Sequence, residues 1–111
     1  MSGAARRAKR KFLYHLQGGC CASCGVSQGA QTFEHVTPKH RGGEWRIDNL
    51  ILTCVRCNRH RGSSSKLSKR AKEMHLTVLR WWYANGMNDD VRQWKILPWV
   101  CPHEEVDTVR R

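Results

Sequence analysis

Residues 20–58 read CCASCGVSQGAQTFEHVTPKHRGGEWRIDNLILTCVRCN, and two cysteine pairs bracket everything else in that stretch. Cys21-x-x-Cys24 and Cys54-x-x-Cys57 offer four thiolates in two knuckles, the arrangement of a closed tetrahedral structural zinc site. Cys20 is an alternative to Cys21, although only Cys21 keeps the two-residue spacing. Residues 25–53, 29 in all, separate the pairs, more than the 15–20 of an ordinary zinc ribbon. The knuckles therefore enclose a second feature.

Inside them, Thr32 to Val36 is a β-prone run ended by Pro38, Gly42-Gly43 marks a loop, and Leu50-Ile51-Leu52 is a matching second strand that runs into Cys54. This pattern predicts a hairpin with a long, basic connection. A short helix is expected from Val55 to about Arg61, stopped by Gly62 and the serines that follow. Further out, residues 4–17 read as an Arg- and Lys-rich helix with Phe12, Leu13 and Leu16 on an apolar patch and Gly18-Gly19 as its stop. Beyond residue 63, Leu67, Ala71, Met74, Val78 and Trp82 recur at helical spacing and predict a core-facing helix. Trp81, Trp82, Trp94 and Trp99 are expected to pack this part. Cys101-Pro102-His103 is too isolated to make a site.

The chain has 111 residues, enough for one domain whose small core benefits from an added staple. Twenty Lys and Arg against nine Asp and Glu give a formal net charge of +11, which repels itself when folded and is screened by a polyanion. The excess sits in residues 1–17 and 39–72, whereas the last 28 residues lean acidic, so two basic segments define the expected nucleic-acid face. No apolar stretch approaches the roughly 20 residues needed to span a bilayer, and no apolar core of a signal peptide follows the basic start. A cytoplasmic protein with reduced, metal-binding cysteines is expected, located in a host cytoplasm if phage-encoded.

Between the knuckles stand Phe33-Glu34-His35-Val36-x-Pro38, Gly42-Gly43 and Asp48-Asn49-Leu50, with Asn58 directly after the last cysteine. In these residues, in their order and in their interleaving with two CxxC pairs, the chain resembles the zinc-containing branch of the His-Asn-His (HNH) endonuclease family from Cys21 to about Gly62. The resemblance implies an α+β architecture: a small ββα-metal (His-Me finger) nuclease fold with a structural zinc knuckle and flanking helices. Residues 1–111 then form a single nuclease domain, comprising a basic helix (1–19), a zinc-stapled core (20–62) and a C-terminal helical extension (63–111).

Carried over residue by residue, His35 is the implied general base, and a near-neutral imidazole is the usual group for taking a proton from water at physiological pH. Glu34 and Asn58 are the implied ligands of one catalytic divalent ion. In a regular strand Glu34 points away from the face of His35, so a strand end or bulge is needed to bring both to one cavity. Asn58 stands where many relatives have His, which makes this a His-Asn-Asn variant. Its harder amide oxygen favours Mg²⁺ or Mn²⁺ over Zn²⁺ or Ni²⁺. Asn49 corresponds to the middle Asn, which orients the base and braces the loop. His40 is read as a surface contact, and His60, about 200° around a helix from Asn58, does not share its metal.

Arg41, Arg56, Arg59 and Arg61 are candidates to hold the phosphate, with Arg6, Arg7 and Arg10 as further nucleic-acid contacts. The expected activity is metal-dependent cleavage of DNA, the family's usual substrate being duplex, to 5′-phosphate and 3′-hydroxyl ends, in a phage, mobile-element or restriction setting. Oligomeric state is not legible, a monomer being compatible with everything above. A noncatalytic zinc-knuckle DNA-binding module and a ribonuclease using the same centre are the alternatives.

Overall fold

Two five-residue strands, β1 (Gln31–His35) and β2 (Leu50–Cys54), pair antiparallel from Gln31 opposite Cys54 to His35 opposite Leu50. This computed structural model describes residues 2–27 and 29–97. Every residue of β2 is buried, as its unbroken apolar run requires of a strand covered on both faces. Leu50, Ile51 and Leu52 are at most 1% exposed, and full burial of such side chains contributes about 1.5–3 kcal/mol each. A two-stranded hairpin is marginal by itself, so the elements packed on it decide whether it persists.

The helix α1 (Gly3–Leu16) opens with Ser2, whose side chain accepts from Ala5 N at 3.1 Å, and buries Phe12 and Leu13 in the core. At its end, Gln17 donates to the Leu52 carbonyl at 2.9 Å and accepts from Leu52 N at 2.9 Å. One side-chain amide thus imitates a neighbouring strand on the outer edge of β2, which Ala22 N also meets at the Leu52 carbonyl. The expected basic face of this helix is not uniform. Lys9 is turned inward, 2% exposed, and its Nζ lies 2.8 Å from Asp89 and 3.3 Å from the Trp45 carbonyl. Asp89 also accepts from Ile47 N at 2.7 Å.

After β2 comes α2 (Val55–Arg61), seven residues long and too short to hold as an isolated helix. The Cys54 sulfur caps its start by accepting from Cys57 N at 3.4 Å, and Arg61 ties its end to the hairpin. The longer α3 (Lys69–Ala84) is capped by Ser68, which accepts from Ala71 N. Leu67, expected on its apolar face, precedes the first turn yet still packs on the core beside Ala71, Met74, Val78, Trp81 and Trp82. The C-terminal extension is less helical than expected. Asn85 ends α3 by clasping the Trp81 and Ile96 carbonyls, and a 3-10 turn over Val91–Gln93 follows. Trp94 joins the core edge-on to Phe12, with centroids 4.8 Å apart. Trp99 and Cys101-Pro102-His103 lie outside the described residues.

The connection between the strands is shaped around Gly43. Its N–H donates to the Pro38 carbonyl at 3.0 Å, and a Cβ there would run into the Thr37 carbonyl. Gly43→Ala is therefore expected to destabilise the protein by about 1–3 kcal/mol through forced overpacking, read as a lowered midpoint in thermal melting. A wild-type midpoint would show that the loop has room to move.

Candidate active site and metal centre

The hairpin brings the two knuckles together. The sulfurs of Cys21, Cys24, Cys54 and Cys57 all lie within 4.8 Å of one another, as a single metal ion requires, and those of Cys24 and Cys54 are 3.9 Å apart. Cys20 turns elsewhere, its sulfur 3.5 Å from the Gly18 carbonyl, which assigns the ligand position to Cys21. Burial alone would raise the Cys21 thiol, but the backbone N–H groups of Cys24, Cys54 and Ser23 outweigh it and bring it down to about 7. Burial, then the sulfurs of Cys54, Cys24 and Cys21, push Cys57 up to about 12. A shared divalent cation removes that conflict, since a coordinated thiol is deprotonated outright.

A cleft of about 480 Å³ opens beside the hairpin, and Glu34, His35, Lys39, His40, Trp45, Asn58 and Arg61 are in its wall. The register is one to one through His35, so no bulge intervenes. His35 is the last residue of β1, and there both it and Glu34 border the cleft. His35 is 9% exposed, and its Nε2 is buried with no hydrogen-bond partner among the described residues. Such an orphan is rare and costs on the order of 1–3 kcal/mol unless a ligand or water meets it. Burial, and after it the charge of Lys39, hold the imidazole below its ordinary range.

Glu34 is 7% exposed. Burial raises its carboxyl above the ordinary range despite the opposing pull of Arg61. The Arg61 pair engages Oε2 at 3.5 Å, while Oε1 has no partner among the described residues. Asn58 donates its amide N–H groups to Thr32 Oγ1 at 3.0 Å and the Phe33 carbonyl at 3.3 Å. A carbonyl only accepts, so the amide orientation is settled and Oδ1 stays without a partner among the described residues. Glu34, Asn58 and His35 thus line the same cleft, and a carboxylate and an amide oxygen suit a hard divalent cation.

Arg61 has a different setting from the exposed arginines. Its guanidinium donates to the carbonyls of His35 and Val36, both at 2.7 Å, and of Ser64 at 3.0 Å. It clasps the backbone at the end of β1, leaving little donor capacity for a phosphate. Asn49 makes no hydrogen bond to the His35 ring. Its side chain accepts from Thr37 N at 2.7 Å and donates to the carbonyls of Thr37 and Glu44, holding the loop two residues past His35. Arg41, Arg56 and Arg59 are exposed and outside the cleft wall. Arg6 lies over the Trp45 ring at 5.0 Å and Arg10 over Phe33 at 4.6 Å, while Arg7 is exposed. His60 borders a neighbouring groove with Glu34 and without Asn58.

Trp45 escaped the sequence reading. Its ring meets His35 edge-on at 4.5 Å and an interplanar angle of 87°, and Phe33 in the same manner at 5.7 Å. The only signal was a tryptophan in an otherwise polar, glycine-rich loop. Lys39 was passed over for the arginines, although it alone of the loop's Lys and Arg side chains borders the cleft.

Residues 19–64 match the family described as HNH endonuclease. Neither the curated proteins nor the solved structures contain a significant match to the chain. With the hairpin, its following helix and the four gathered cysteines in place, residues 19–64 form a ββα-metal domain of the HNH family, of the two-CxxC kind.

Proposed function

We propose that the protein is a metal-dependent DNA endonuclease in which His35 is the general base. The observation that carries this reading is the buried, unpartnered Nε2 of His35 in a cleft shared with Glu34 and Asn58. His35 takes a proton from water as the water oxygen bonds to phosphorus. The bond from phosphorus to the 3′ oxygen breaks, leaving a 5′-phosphate and, after protonation by solvent, a 3′-hydroxyl. Glu34 and Asn58 are the residues that would hold a catalytic Mg²⁺ or Mn²⁺, which would supply charge to stabilise the transition state and the leaving oxygen. Arg61 from α2 fixes the carbonyls of His35 and Val36, and Asn49 fixes Thr37 just beyond them. The four cysteines would hold a structural Zn²⁺ separate from the catalytic ion.

Exposed Arg41, Arg56 and Arg59, with Arg6, Arg7 and Arg10 of α1, supply the charge that attracts a nucleic-acid backbone. No helix among the described residues is long and apolar enough to cross a membrane. The test is incubation of the purified protein with plasmid DNA and Mg²⁺ or Mn²⁺, followed by EDTA. Nicked or linear product that appears only with the divalent ion supports the proposal. Tight binding without cleavage would instead identify a noncatalytic zinc-knuckle module, and preference for RNA over both single-stranded and duplex DNA would identify a ribonuclease.

A further inference from the structure

Among the described residues, four side chains in the cleft wall can carry positive charge: His35, Lys39, His40 and Arg61. The Arg61 side chain is only 9% exposed and spends its donors on the carbonyls of His35, Val36 and Ser64 and on Glu34. Histidine is at most a part-time cation near neutrality. Lys39 is exposed, and no carboxylate pairs with it among the described residues. Its ammonium is nevertheless not adrift, lying 4.7 Å from the centroid of the Trp45 ring, within cation–π range. The edge of that same ring packs on His35.

We propose that Lys39 is the cation that contacts the scissile phosphate, held at the cleft by Trp45. One indole then sets the spacing between the base and the charge, so both meet the same phosphodiester. A lysine suits this task, because an unpaired point charge on a flexible stem follows the phosphoryl oxygens as they take on charge. The 3-10 turn of Lys39–Arg41, entered from Pro38, fixes where the stem begins.

This inference rests on the nuclease reading, and steady-state cleavage of a duplex with Mg²⁺ separates the two. Removing a preorganised transition-state donor commonly lowers turnover by two orders of magnitude or more. Lys39→Met is therefore expected to reduce kcat by about 10- to 100-fold with KM within about twofold, and Lys39→Arg to restore most of kcat. Lys95→Met, an equal loss of charge at an exposed position outside both basic segments, serves as control and is expected to match wild type. Thermal melting checks that Lys39→Met folds, and Lys39→Gln replaces it if the methionine aggregates. Overturning results are a kcat for the neutral variant within about twofold of wild type, or a loss confined to KM, either of which makes Lys39 at most a binding contact. If wild type itself does not cleave, the nuclease reading fails and takes this inference with it.

Discussion

Replacing His35 by alanine is expected to lower DNA cleavage by about 10²- to 10⁴-fold, the range attributed to a positioned general base, while the cysteine cluster keeps its metal and the protein still melts cooperatively. The side chain makes no hydrogen bond that folding would lose, since its Nε2 has no partner among the described residues. Removing it even relieves a desolvated polar atom. The pH profile supplies a second readout. A general base works only when deprotonated, so the rate should fall on the acid side, as protons are taken up. Burial and Lys39 depress proton affinity at His35, so that fall is expected below the usual histidine value of 6.5, with the rate level from there to pH 8. An acid limb centred above 6.5, or undiminished cleavage by the alanine variant, would sink the assignment.

The second large effect is structural. Cys54→Ser is expected to unfold the domain, seen as loss of bound zinc and of the cooperative melting transition. Structural zinc contributes an apparent 10–16 kcal/mol in small knuckle peptides, as much as the whole stability of an ordinary domain, about 5–15 kcal/mol. Cys54 ends β2, caps α2 and belongs to the sulfur cluster. Cys20→Ser is the matched control, because its sulfur lies outside the cluster, and it should melt and bind zinc as wild type does. A folded, zinc-loaded Cys54→Ser protein, or a damaging Cys20→Ser, would show that the cysteines are wrongly apportioned.

The hairpin and the sulfur cluster were legible in the sequence because both are written in local spacing. β-Prone runs end at Pro38 and at Cys54, and the two-residue gaps of the knuckles leave few other geometries. The extent of α2, Val55–Arg61, followed in the same way from its position between Cys54 and Gly62. What escaped depends on neighbours distant along the chain. Arg61 reads as one more exposed arginine in a basic run, and only the return of α2 onto β1 makes it a clasp for the carbonyls at 35 and 36. Trp45 carries no motif, and its importance arises where the loop folds back over His35. Lys9 is indistinguishable by type from Arg6 or Arg10, yet its partner lies 80 residues away.

That inward lysine bears on how such a protein can be rearranged. A basic helix next to a small HNH domain invites exchange, as though it were a detachable reader that another helix could replace. Lys9 makes α1 part of the chassis. The acid it meets, Asp89, also receives the N–H of Ile47 just ahead of β2, so a substitute helix lacking an inward cation would leave a carboxylate unbalanced beside the loop that leads into β2. Grafting at this end succeeds only if Lys9 and its aspartate travel together, and retargeting is better attempted through the outward arginines of the same helix.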